Sequence, residues 1–202
     1  MKDHIIINVG RQFGSGGKSV ANSLGEKLGI KVYNNEILSC AAEMSGFSKD
    51  LFLKKDEKKS MLTIANIFGA NRYGGAVSSG VSDIDIFKIQ SDFIRSIAQK
   101  ESAIFVGRAS DYVLRDMDCL DVFICAPLED RIKRVAQREG ISADNAESLI
   151  LKRDRERAAY YNYYTFGDWG VASNYDLCLD SSILGIDGSA DFIIEFLSRK
   201  DR

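Results

Sequence analysis

Ile5-Ile6-Ile7-Asn8-Val9 is an almost unbroken apolar run, and Ala103-Ile104-Phe105-Val106 is a fully apolar one. Residues 120–125 and 176–179 are nearly as apolar, and Lys31-Val32-Tyr33 is a short fifth segment. Strands without polar alternation belong to a parallel sheet covered on both faces. Between them the period changes to that of a helix. Val20, Ala21, Leu24 and Leu28 share one face over 18–28, and Gly29 supplies a stop. Ile86, Ile89, Phe93, Ile94 and Ile97 form the inner stripe of a helix over 83–100. Pro127, the single proline, opens a helix over 128–138, where its missing N–H costs nothing, and Gly140 ends it. Ser142 caps a long helix reaching toward Tyr160, and 187–199 closes the chain. Strands alternating with helices predict an α/β sandwich around a five-stranded parallel sheet.

The middle of the chain is less regular. Asn34-Asn35 caps a helix to about residue 45, and 48–68 reads as mixed helix. The charge run at 54–59 is expected to be a solvated face. Residues 69–82, rich in Gly, Ser and Asn, read as a mobile loop.

Composition narrows the function. A length of 202 residues suits one domain, with residues 1–202 forming one core plus small inserts. A net charge of −2, from 27 basic and 29 acidic side chains, gives no reason to expect nucleic acid or an anionic membrane as partner. The four cysteines form no C-x-x-C pair, and Cys125 and Cys178 are expected as buried strand thiols in a reducing cytoplasm. Met-Lys-Asp-His before the first strand leaves no room for a signal peptide, so the expected location is cytoplasmic. One histidine, His4 at the mouth of the first strand, rules out a His-rich metal centre by count and is expected at the surface.

The strongest chemical signal is Gln12-Phe13-Gly14-Ser15-Gly16-Gly17-Lys18-Ser19, between the first strand and the first helix. Glycines let backbone N–H groups close on phosphate oxygens, and the helix directs its positive end at the anion. Gly14, Ser15, Gly16 and Gly17 would form the cradle. Lys18 would reach the β/γ-phosphates, and the Ser19 hydroxyl would hold Mg²⁺. The pattern G-x-x-x-x-G-K-[ST] wants glycine where Gln12 stands.

Ligands of open α/β sheets bind beyond the carboxyl ends of the strands. Asn34, Asn35 and Arg108 fall there. Arg131, Arg134 and Arg138 share one helix face, and Arg153 and Arg157 share another. Planar guanidinium groups suit a transferring phosphoryl group, with solvated faces paired to Glu139, Asp154 and Glu156 as the plainer alternative. Residues 160–169 are dense in aromatics, expected to pack a lid or a subunit contact.

The chain resembles the cytidylate kinases and, more closely, their cytidylate-kinase-like bacterial relatives. The resemblance covers most of the chain. It rests on Gly10-Arg11-Gln12-Phe13-Gly14-Ser15-Gly16-Gly17, Leu28–Tyr33, Val106-Gly107-Arg108, Ala126–Arg131 and Asn174–Ser182. It implies a P-loop kinase core with a monophosphate-binding insert at about 35–85 and a lid at about 138–165. It implies ATP and Mg²⁺ as donor and cofactor, and a small nucleotide, CMP or dCMP, as acceptor. Arg108 would grip the acceptor phosphate, with Asn34, Asn35 and Asp154 nearby. Lys18, Arg131, Arg134, Arg153 and Arg157 would stabilise the transferring group, and Asp111 or Asp85 would assist the metal. The segment Tyr33-Asn34-Asn35-Glu36-Ile37 lacks the threonine-glycine-alanine run of true cytidylate kinases. That departure leaves open a different small acceptor, or a nucleotide-binding module without transferase activity.

Overall fold

Among the described residues the strands assemble into a five-stranded sheet in the order β2-β3-β1-β4-β5, every neighbouring pair parallel. The computed structural model describes residues 4–34, 37 and 83–200. In chain order β1 is Ile6–Arg11, α1 Gly17–Leu28, β2 Lys31–Tyr33, α2 Asp83–Ala98, β3 Ala103–Val106 and α3 Ser110–Val113. Then follow β4 Leu120–Cys125, α4 Leu128–Glu139, α5 Ala143–Thr165, β5 Leu177–Asp180 and α6 Ser181–Lys200. Apart from Asn34 and the helical residue 37, the helix expected from Asn34-Asn35 to about 45 lies outside the described residues, as do the mixed helix at 48–68 with its charge run, the loop at 69–82 and Cys40.

β1 runs through the centre of the sheet. Ile7 lies between Ile104 and Leu120, and Val9 between Val106 and Val122. Side chains alternate across a strand, so β1 feeds two cores. Ile7 and Val9 pack with Val20 and Leu24 of α1 and Ile193 and Leu197 of α6. Ile6 packs on the other face with Phe93 and Ile94 of α2, Phe105 and Val113. Val135, Ala146 and Ile150 join α4 to α5 in a smaller cluster that takes in Phe13.

Several expected boundaries hold. Gly29 and Gly140 end their helices with φ of 66° and 65°, a conformation that favours glycine. The Ser142 hydroxyl accepts the Asn145 N–H at 3.3 Å. Two expectations change. α6 begins at Ser181, a first turn being set off from the rest by Gly185 at φ 68°, ψ −174°. Cys178 is exposed and Cys125 only half-buried, whereas Cys119 is buried, among the described cysteines. β5 is an edge strand with one well-packed face, so alternation turns Leu179 inward and Cys178 out.

Asn8 is a polar side chain buried inside β1. Its amide donates to Asp121 Oδ1 at 2.8 Å across the β1–β4 pair, while its own Oδ1 is buried without a partner. Burial pushes Asp121 up to about 6 from 3.8. The nearby Asp111 and Asp176 charges add to this, and the Asn8 hydrogen bond opposes it. The native state therefore holds a proton that the unfolded chain has released above about pH 4. The contribution of Asp121 to stability is greatest below that pH and is lost as pH rises through about 6. Asp121→Asn should gain stability relative to wild type between pH 4.5 and 7, read from paired urea titrations. A pH-independent difference between the two proteins would count against this account.

Candidate active site

The glycine loop leaves β1 and enters α1 with two left-handed residues, Gly14 at φ 80° and Gly16 at φ 81°. A side chain at Gly14 would also meet Val135 at 2.8 Å, so glycine is required there twice over. Gln12 is not among the positive-φ residues, which explains why the missing first glycine is tolerated. Its backbone N–H continues the β1–β4 pairing to Ile124 O at 3.0 Å, and its side-chain Oε1 accepts the Ala126 N–H at 3.2 Å. Gln12 thus fastens the start of the loop to the end of β4.

Ser15 is buried and braces the loop from within. Its hydroxyl donates to Gln12 O at 2.9 Å and accepts the Gly17 N–H at 3.4 Å, while its carbonyl accepts the Ser181 hydroxyl. Lys18 and Ser19 are exposed on the first turn of α1, which has neither an acidic side chain nor a side-chain cap. A helix start left this way presents backbone donors and positive potential to an anion. The donor set would suit the phosphates of a nucleotide, and the Ser19 hydroxyl is the group here that could hold Mg²⁺.

The outer side of the loop is held by arginines. Arg157 donates to Arg11 O at 2.9 Å, Arg131 to Phe13 O at 3.4 Å and Arg134 to Gly14 O at 2.5 Å. Asp154 accepts the Phe13 N–H at 2.7 Å and pairs with buried Arg131 at 2.5 Å. The Phe13 ring has the Arg138 guanidinium 5.1 Å and the Arg157 guanidinium 5.4 Å from its centroid. Sequence spacing showed that these arginines share faces, but not that they would grip backbone carbonyls 118–146 residues away. Arg134 also lies 3.6 Å from where a Cβ of Gly16 would stand, which keeps it beside the cradle.

β3 is hydrogen-bonded to β1, so Gly107 and Arg108 emerge beside the glycine loop. Gly107, Arg108 and Ala109 all take positive φ, at 75°, 65° and 52°. Two consecutive non-glycine residues in that region mark a turn held by its surroundings. Arg153 sits apart from the loop contacts, half-exposed and paired with Glu156 at 3.0 Å. Asn34 follows β2 and its carbonyl accepts the Ile37 N–H at 3.1 Å, while Asn35 lies outside the described residues. Asp85 is exposed in the first turn of α2.

Asp111 accepts the Tyr161 hydroxyl at 2.7 Å. Burial raises its pKa, and that hydrogen bond draws it back. The bond ties α5 to α3, the short helix that follows β3. Tyr160 and Tyr164 pack on Phe87 of α2, with Tyr164 stacked on it at 4.1 Å between centroids. The aromatic block therefore packs the long helix against α2. Among the described residues no group of three or more His, Cys, Asp or Glu side chains is arranged to hold a metal, and no helix is long and apolar enough to cross a membrane.

Comparison with known proteins agrees with this geometry. A cytidylate kinase from Sulfolobus acidocaldarius is 28% identical over 189 residues, covering 93% of this chain and 91% of its own. One from Methanobrevibacter smithii is 31% identical over 178 residues, covering 88% and 89%. An uncharacterised protein of known structure from Eubacterium ventriosum superposes with a TM-score of 0.70 at 29% identity, covering 96% of this chain and 99% of its own. A shikimate kinase from Bacteroides thetaiotaomicron shares the fold, with a TM-score of 0.54 at 12% identity, covering 96% and 98%. Residues 6–183, from the first strand through the glycine loop and arginine helices to the turn after β5, match the model of the cytidylate kinase-like family, and the chain belongs to that family.

Proposed function

We propose that the protein transfers the terminal phosphoryl group of ATP to a nucleoside monophosphate, with CMP or dCMP as the preferred acceptor. The observation that carries this is the pairing of β1 with β3, which sets the glycine loop and Arg108 side by side at the carboxyl edge of one sheet. That juxtaposition suits a donor triphosphate on one side and an acceptor phosphate on the other. The name cytidylate kinase carried by its relatives supports a cytidine monophosphate as the acceptor.

In this reading Lys18 and the backbone N–H groups of Gly16 and Gly17 bind the donor phosphates, and Ser19 holds Mg²⁺. The metal supplies charge neutralisation on the phosphate oxygens when bound. Arg108 orients the acceptor phosphate. Arg134 and Arg157, with Arg153 from the same helix face as Arg157, balance charge as the phosphoryl group moves. Arg131 and Asp154 act through the loop, fixing the Phe13 peptide and with it the cradle. No general base is needed, because the attacking phosphate oxygen is already ionised. Positioning and electrostatics lower the barrier.

The test is ADP release from ATP–Mg²⁺ with CMP, dCMP, UMP, AMP and GMP offered separately, against a no-acceptor control. Stimulation greatest with CMP or dCMP is the expected result. Stimulation by none of the five would reassign the chain to another small acceptor, or to nucleotide binding without transfer.

A further inference from the structure

We propose that Arg11 is a second arginine for the acceptor's phosphate, its side chain carried between two glycines to the edge occupied by Arg108. This rests on the phosphotransferase reading above.

The path of the side chain is specific. A Cβ on Gly17 would stand 2.5 Å from Arg11 Cβ and 3.1 Å from its Cγ. A Cβ on Gly107 would stand 1.9 Å from Arg11 Nη1 and 2.9 Å from its Cζ. The stem therefore passes the first turn of α1, and the guanidinium comes to rest on the backbone after β3. Two glycines on separate elements are needed for one side chain to make this crossing. The base of the side chain is fixed as well, since Arg157 holds the Arg11 carbonyl at 2.9 Å.

The guanidinium has no ion pair among the described residues. Burial, then the Arg157 charge, then the Arg108 charge, draw its pKa down to about 9. Arg131 is the internal contrast: it is more deeply buried than the half-buried Arg11, and it is paired to Asp154. A cation held against two others without a carboxylate is a standing cost to the ligand-free fold. An incoming dianionic phosphate removes that cost and accepts hydrogen bonds from the planar fork. A surface arginine would not be threaded past two glycines, and a purely structural one would have a counter-ion.

The experiment compares wild type with Arg11→Met, which keeps the aliphatic stem, and Arg11→Lys, which keeps the charge but not the fork. Thermal unfolding is recorded without ligand, and again with the glycine loop filled by a non-hydrolysable ATP analogue and Mg²⁺ while inorganic phosphate is added. Arg11→Met is expected to unfold at a higher temperature than wild type without ligand and to lose the added stabilisation by phosphate, with Arg11→Lys intermediate. In turnover, the acceptor KM should rise about tenfold or more in Arg11→Met with the ATP KM unchanged, as for loss of a charged hydrogen bond. Added guanidinium ion should restore part of the loss. Phosphate stabilisation equal to wild type in Arg11→Met, or equal weakening toward ATP and acceptor, overturns the proposal. Because the phosphate titration needs no turnover, it reads Arg11 even if no nucleoside monophosphate proves to be a substrate. Loss of that stabilisation without any monophosphate activity would overturn the acceptor assignment and leave the anion site standing.

Discussion

Lys18→Ala should lower kcat/KM on the order of 10³-fold while leaving the fold intact. The two halves of this expectation have separate causes. Lys18 is exposed on the first turn of α1, so its removal opens no cavity and strands no buried partner. In the proposed reaction its ammonium sits where negative charge gathers on the donor's bridging and terminal oxygens, in a site that the closing substrate strips of water. A cation aimed at developing charge in such a place contributes far more to the rate than to stability. The check is acceptor-dependent ADP release beside a thermal melt followed by circular dichroism. Full turnover in a folded variant would remove Lys18 from the site. Loss of both activity and the melting transition would mean that the lysine serves the fold.

Asp154→Ala carries the largest expected cost to stability, about 3 kcal/mol, because it leaves the Arg131 guanidinium buried and unpaired and orphans the Phe13 N–H. Both side chains of the pair are largely shielded from water, so solvent screening does not dilute the effect. Replacing both partners with apolar residues, as in Arg131→Met with Asp154→Leu, should recover much of the loss, since breaking a buried ion pair costs more than omitting it. Denaturant titrations of the two single variants and the double variant measure the coupling. Kinetics add a second discrimination. If Asp154 acts through the glycine loop, Asp154→Ala weakens ATP more than the acceptor. A change confined to the acceptor KM would instead make it an acceptor contact.

The two expectations separate the cradle from its mounting. Gly14 and Gly16 make the left-handed turns, and Lys18 and Ser19 face outward from it. Arg131, Arg134 and Arg157 hold carbonyls on the far side. A flexible glycine segment has backbone freedom to lose on binding, and each carbonyl contact removes some of it beforehand. The helices α4 and α5 thus contribute to phosphate binding whether or not their arginines also touch the transferring group.

Much of the architecture was legible in the chain itself. Largely apolar runs at 5–9, 103–106 and 120–125 mark strands buried on both faces, because only a covered parallel sheet hides both sides of a strand. Gly29, Gly140, Pro127 and Ser142 set helix ends through local backbone and capping preferences that need no tertiary partner. The glycine loop and Arg108 were legible for the same reason, since each is a short motif in a fixed place relative to a strand end. Where local pattern and packing diverge, the pattern misleads. Cys178 sits in a strand, yet it is exposed because that strand is at the edge of the sheet.

What the tertiary structure alone decided is partnership. Gln12 departs from the loop motif, but only the β1–β4 pairing shows that its φ needs no glycine and that its side chain fastens Ala126. Asp154 and Arg131 are 23 residues apart on separate helices, and nothing in either stretch foretells their joint hold on Phe13. The crossing of Arg11 between Gly17 and Gly107 is invisible in one dimension. The spacing of residues along a strand or helix is fixed by backbone geometry, which the sequence expresses locally. The meeting of side chains from distant elements depends on sheet order and helix packing, which are set by the whole core at once.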